Sequence, residues 1–206
     1  MKNCSVFINT KSDFAIVSNN CWGLGVYKKL NKEFNTPFIN LFIFCDDYLN
    51  LLKDLSIINK GIVFDRMSGC IRCGRKVIGH CCPVERKIQD RECVYKRFPI
   101  FRLGDSELNF SHYDNPQNCI DDWNRRLERF NKVENIIFSF NYIYEPGCER
   151  YSFEYLLKEF HKLDLDNKIS WSPDQYEYKN NFKIQRYEND AFQLGKDVSL
   201  YEGVKL

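Results

Sequence analysis

No apolar run in this sequence is long enough to cross a bilayer. The longest, Phe38 to Cys45, is interrupted by Asn40, whereas a spanning helix needs about 20 such residues. The opening residues Met1-Lys2-Asn3-Cys4 lack the apolar core of a signal peptide. There is no internal repeat, so a solenoid is not expected. There is no GxGxxG either, which leaves a dinucleotide site unsupported. Only one CxxC pair occurs and C₂H₂ spacing is missing, which argues against a nucleic-acid zinc module. What the chain does have is core-forming material: 44% hydrophobic and 16% aromatic residues in 206. That excludes disorder for the bulk of it. The expectation is a cytoplasmic globular protein, a single α/β domain over residues 1–206.

Charge is small in sum and uneven in place. The net value is +2. Yet Arg66 to Arg102 holds ten Lys/Arg against three acids, Glu85, Asp90 and Glu92. Such a segment is either a patch facing an anion, such as a phosphate-bearing ligand or an anionic membrane surface, or a solvated loop. Five of the ten cysteines, Cys70, Cys73, Cys81, Cys82 and Cys93, fall inside it. Residues 66–97 therefore read as a Cys-rich basic insert. Cys70, Cys73, Cys81 (or Cys82) and Cys93 could close a tetrahedral structural zinc site, with His80 able to replace one ligand. Reduced thiols in a loop are the alternative.

Elsewhere the pattern alternates strand and helix. Phe14 to Val17 reads as a strand that runs through Ser18-Asn19-Asn20-Cys21-Trp22-Gly23 into a helical turn at Val26 to Leu30. Phe38 to Phe44 reads as a strand buried on both faces. Asp46 or Asp47 would cap the next helix, with Tyr48, Leu51, Leu52 and Leu55 on one side. Ile62 to Phe64 would be a third strand. Glu107 to Tyr113 alternates, with Leu108, Phe110 and His112 on one face. Asp114-Asn115-Pro116 starts a helix carrying Cys119, Ile120, Trp123, Leu127 and Phe130. Ile136 to Phe140 is a strand, Ser152 caps a helix, Ile169 to Trp171 is a strand, and Phe182 to Arg186 suggests another. Repeated strand–helix units predict an α/β fold, layered α/β/α on a mostly parallel sheet.

Ligands of parallel α/β sheets sit beyond the carboxyl ends of the strands. The Ser18-to-Gly23 loop would lie there. Asn19 and Asn20 offer amide donors and acceptors for sugar hydroxyls, and Trp22 a flat face for stacking. Cys21 would be a nucleophile if a histidine or helix N-terminus favours its thiolate. Each has a plain structural alternative: turn hydrogen bonds, packing, an inert thiol. Asp46 could hold a divalent cation, Mn or Mg, bridging a diphosphate, or simply occupy a first helical turn. Asp105 could act as a general base or bind a hydroxyl. His112 could transfer protons, although its shared face with Leu108 and Phe110 favours a core histidine.

Three blocks in order, Phe14 to Gly23, Asn35 to Ile43, and Phe98 to Asp105 through His112-Tyr113 to Trp123, resemble a known bacterial family. It is often labelled exopolysaccharide biosynthesis protein (domain of unknown function nineteen-nineteen). The matching positions are Ser18, Asn19, Asn20, Cys21, Trp22, Gly23, Pro37, Asp105, His112, Tyr113 and Trp123. Leu24 separates Gly23 from Gly25, where the family pattern has a second glycine directly after Trp-Gly. The Cys-rich insert is not a family trait, so zinc gains nothing from the likeness. The resemblance implies a role in capsule or exopolysaccharide synthesis, on a sugar nucleotide or an oligosaccharide intermediate. A glycosyltransferase-like enzyme would use Asp105 and His112 as catalytic groups, with Ser18 to Gly23, Asp46 and Tyr113 around the substrate. The alternatives are a non-enzymatic scaffold with a metal-stabilised contact segment, and a hydrolase using Cys21 with His112.

Overall fold

The computed structural model describes residues 13–68, 98–141, 151–172, 176–178 and 181–183. The expected zinc ligands Cys70, Cys73, Cys81 and Cys93, and most of the basic insert, lie outside the described residues. The fold mixes helices with two separate sheets, one parallel and one antiparallel.

The parallel sheet has the order β1-β5-β6-β7. Its strands are β1 (Ala15–Ser18), β5 (Ile136–Asn141), β6 (Lys168–Ser172) and β7 (Asn181–Lys183). Side chains alternate across a strand, and here both faces are buried. Ala15, Val17, Phe138 and Phe140 enter one hydrophobic cluster, whereas Ile16, Ile137, Ile169 and Trp171 enter another. Helix α1 (Trp22–Lys29) covers the second face with Trp22, Val26 and Tyr27. Gly23 permits that approach: a Cβ there would stand 3.1 Å from Ile16 Cγ2. On the first face Phe140 stacks between Tyr48 of α2 (Cys45–Lys53) and Phe153 and Phe160 of α4 (Phe153–Lys162). Truncating a ring buried this fully costs about 3–5 kcal/mol.

Two helices begin where the sequence predicts, whereas α1 starts at Trp22, a turn before the expected Val26. Helix α3 (Pro116–Phe130) has Pro116 in its first turn, and the Asn115 side chain accepts from Gln117 N–H. In α4 the Ser152 hydroxyl accepts from Tyr155 N–H. None of the described helices is long and apolar enough to cross a membrane.

Four local expectations are corrected. Phe38 to Phe44 is buried but is not a strand. Asn40 adopts a left-handed φ of 64° and breaks the extended run, leaving one bridge, Phe42 with Asn109. Neither Asp46 nor Asp47 caps α2; Phe44 is the capping residue and both acids sit in the first turn. Leu55 leaves α2 and starts a short 3-10 helix, Leu55–Lys60. The third strand, β2 (Val63–Met67), belongs to the antiparallel sheet with β3 (Pro99–Leu103) and β4 (Ser106–Asn109). One face of that sheet carries Phe101, Leu103 and Leu108 into the core. The other carries Glu107, which accepts from Arg66 at 2.9 Å.

Candidate functional site

The carboxyl end of β1 turns into α1 through four polar residues, Ser18 to Cys21. Asn19 is fully buried. Its Nδ2 donates to the Asn141 carbonyl at 2.8 Å, and its Oδ1 accepts from Asn141 N–H at 2.8 Å. Ser18 is equally buried and accepts from Asn141 Nδ2 at 3.2 Å. Asn20 is half-buried, and its Oδ1 accepts from Trp22 N–H at 3.0 Å. This bond spans Cys21 and fixes the first turn of α1 around it. Trp22 is fully buried with its ring 5.8 Å from that of Trp171, so it presents no face for a ligand.

Cys21 is half-buried, and its Sγ lies 3.3 Å from His112 Nε2. His112 follows β4 of the other sheet. The alternating pattern placed it in the core, but β4 ends at Asn109 and the chain turns at Ser111-His112, which leaves His112 exposed. The turn is held on both sides. Phe110 packs edge-on against Phe101 and Trp123. The Tyr113 hydroxyl donates to Asp122 Oδ2 at 2.7 Å and accepts from Arg126 Nη1 at 3.1 Å. Burial first, and then Asp122, push the Tyr113 phenol above its ordinary value. Its hydroxyl is committed to α3, which makes it an anchor for the His112 turn.

A thiol and an imidazole at this separation can exchange a proton. With Nδ1 protonated, Nε2 takes the proton from Sγ; the resulting imidazolium then holds the thiolate. Cys21 also occupies the N-cap position of α1, where the helix end favours negative charge.

The carboxylates stand elsewhere. Asp105 is exposed at the tip joining β3 and β4, at the opposite end of β4 from His112. Asp46 is half-buried, and its Oδ1 accepts from Asp47 N–H at 3.1 Å. Ser106 Oγ donates to the Asp47 carbonyl at 2.9 Å, which ties the Asp105 tip to this helix turn. Among the described residues, no group of three His, Cys, Asp or Glu gathers to hold a metal ion.

Three contributors went unnoticed in the sequence. Asn141 closes the network beneath the loop, and Cys45 Sγ donates to the Asn141 carbonyl at 3.8 Å. Arg126 is a buried cation bonded to Asp122 Oδ2 at 2.8 Å. A polar residue at the end of an apolar strand was the available signal for Asn141. Arg126 lies one helical turn beyond Asp122 and gave none beyond that i,i+4 spacing.

Comparison with known proteins supports the domain family seen in the sequence blocks and does not extend to the exopolysaccharide label. The chain is 22% identical over 196 residues to an uncharacterized protein of Haemophilus influenzae, covering 94% of this chain and 78% of that protein. The family described as domain of unknown function (DUF1919) matches residues 4–203. With nearly its whole length matched, the chain belongs to the DUF1919 family.

Proposed function

We propose that the protein is a thiol-dependent acyl hydrolase or acyl transferase that uses Cys21 as nucleophile and His112 as general base. The observation that carries this reading is the 3.3 Å approach of Cys21 Sγ to His112 Nε2 at the carboxyl edge of the parallel sheet. Cys21 Sγ attacks the carbonyl carbon of an ester or thioester, and its proton passes to His112 Nε2. The tetrahedral adduct collapses, and the leaving group departs with that proton. The acyl group then rests on sulfur as a thioester. Water or a hydroxyl acceptor attacks it, gives its proton to His112, and regenerates the thiol. What supports a saccharide as the acyl carrier is the sequence resemblance to exopolysaccharide-associated proteins. The sugar-nucleotide transferase has less support, because Asp105 and His112 sit at opposite ends of β4 and the acids gather no third ligand among the described residues.

The test is capture of the thioester. The protein is incubated with p-nitrophenyl acetate and with O-acetylated oligosaccharides, quenched in acid, and digested with trypsin. Cleavage after Lys11 and Lys28 releases residues 12–28, whose single cysteine is Cys21. An acetyl group on that peptide, absent in Cys21→Ser and slow to form in His112→Ala, is the expected result. Acetylation that persists in Cys21→Ser, or that is equally fast in His112→Ala, overturns the assignment.

A further inference from the structure

We propose that Asn19 is a positioning residue that sets the Cys21–His112 separation; the proposal rests on the dyad reading above. The two side chains follow strands of different sheets, Cys21 after β1 and His112 after β4, 91 positions apart in the chain. Something must hold those sheets in register at this edge. The main chain of β1 leaves its ladder with β5 after Ser18, paired with Ser139. One residue later the Asn19 carboxamide takes over, occupying both the N–H and the carbonyl of Asn141 at 2.8 Å each. The side chain thus continues the pairing while the main chain swings out toward Cys21.

The backbone of Asn19 is meanwhile tied to the segment bridged to the other sheet. Its carbonyl accepts from Ile43 N–H at 2.9 Å. The preceding residue, Phe42, is bonded both ways to Asn109, at 2.8 and 2.9 Å. Asn19 stands two residues before Cys21, and Asn109 three before His112. Two adjacent peptide units, Phe42 and Ile43, therefore bracket both halves of the dyad. Asn19 is the residue through which that bracket grips β5, because its side-chain amide bonds to β5 and its carbonyl to Ile43, the neighbour of the residue bridged to Asn109. Asn19, Ile43 and Asn109 are fully buried, and Phe42 is half-buried. Nothing in this geometry asks Asn19 to touch a substrate.

The experiment is the rate of Cys21 alkylation by iodoacetamide as a function of pH, read on the peptide 12–28. Wild type, His112→Ala, Asn19→Ala and the remote core variant Leu157→Ala are compared, with folding followed by circular dichroism and urea midpoint. Asn19→Ala is expected to slow alkylation at pH 6 about tenfold, down to the His112→Ala rate. Leu157→Ala, although destabilised, keeps the wild-type rate. A wild-type rate in Asn19→Ala at pH 6 overturns the proposal while leaving the dyad intact. Equal rates in wild type and His112→Ala overturn the dyad itself. If Asn19→Ala does not fold, the isosteric Asn19→Asp carries the test. It keeps an acceptor for Asn141 N–H and loses the donor to the Asn141 carbonyl. A smaller drop in the same direction is expected, and an unchanged rate overturns the proposal.

Discussion

Replacing His112 by alanine should make Cys21 a slower nucleophile below neutral pH and a faster one well above it. An ordinary thiol is only about 0.3% thiolate at pH 6. A thiol held as an ion pair with imidazolium is mostly thiolate there, which is roughly 300 times more of the reactive form. Part of that advantage is given back. Nucleophilicity falls with basicity along a slope of about 0.4–0.5, which across this range removes a factor of roughly 20. The net gain from His112 at pH 6 is therefore about tenfold in the alkylation rate. At a pH where both proteins are fully ionised, the population advantage vanishes and the intrinsic term remains. While the imidazolium keeps its proton, the variant should then react faster than wild type, by up to that same factor of roughly 20. The 3.3 Å contact predicts this crossing of the two rate profiles. Plain steric shielding of Cys21 by His112 predicts something else, namely a variant that is faster at every pH. Iodoacetamide is neutral, so loss of the imidazolium charge does not change its local concentration. Parallel profiles, or a variant faster throughout, would refute the ion-pair argument.

Two further outcomes concern stability. Burial first, then the neighbouring Lys168 ammonium, lowers His161 from 6.5 to about 4. Its ring stacks on Tyr178 at 4.3 Å and lies 2.9 Å from Ser170 Oγ. The unfolded chain takes up this proton first as pH falls, so the contribution is complete above about pH 6.5 and is lost on the way down to about pH 4. Allowing for solvent around a half-buried ring, the loss is about 1–2 kcal/mol. Urea midpoints of His161→Gln should fall less steeply over that window than those of wild type, and an equal slope would refute the assignment. Arg126→Ala should cost about 3 kcal/mol, because it strips a nearly buried guanidinium from Asp122, Tyr113 and the Ile39 carbonyl. Arg126→Met, which loses the same contacts but keeps the apolar stem, should cost nearly as much in the same urea titration; a clearly smaller cost would mean that packing of the stem, not the guanidinium, dominates.

The elements legible in the sequence are those whose ends carry their own chemistry. Asn115-Pro116 and Ser152 mark helix starts by side-chain capping, and β1, β5 and β6 are short apolar runs that form buried strands. Phe38 to Phe44 was misread because burial alone cannot separate a strand from a buried irregular segment. Asn40, with its left-handed φ of 64°, was the residue to weigh. That error had a consequence for the site. Counting the segment as a parallel strand hid its actual work, bridging Asn109 and Asn19. His112 was misplaced for a related reason. The alternation read from Glu107 to Tyr113 does not continue as a strand, because pairing stops at Asn109. A hydrolase pairing Cys21 with His112 is among the sequence readings, but a contact spanning 91 positions has no local signature that would rank it first.

The four residues Ser18 to Cys21 divide their work by depth. Ser18 and Asn19 are fully buried, whereas Asn20 and Cys21 are half-buried. Turning Asn19 toward a sugar hydroxyl would orphan the Asn141 N–H in the interior, at a cost of about 1–3 kcal/mol, and leave its carbonyl only the weak Cys45 thiol. One new hydrogen bond to a ligand contributes about 1 kcal/mol net. The exchange is unfavourable, so Asn19 serves the scaffold. Asn20 faces the opposite balance. Its Oδ1 is held by Trp22 N–H at 3.0 Å, while its Nδ2 forms no hydrogen bond to the described residues. A substrate oxygen that meets this loop would therefore find its donor at Asn20, one residue from the nucleophile. The two adjacent asparagines look interchangeable in sequence, yet Asn19 commits its amide to the scaffold, whereas Asn20 holds only its Oδ1 on Trp22 N–H at the half-buried edge of the loop.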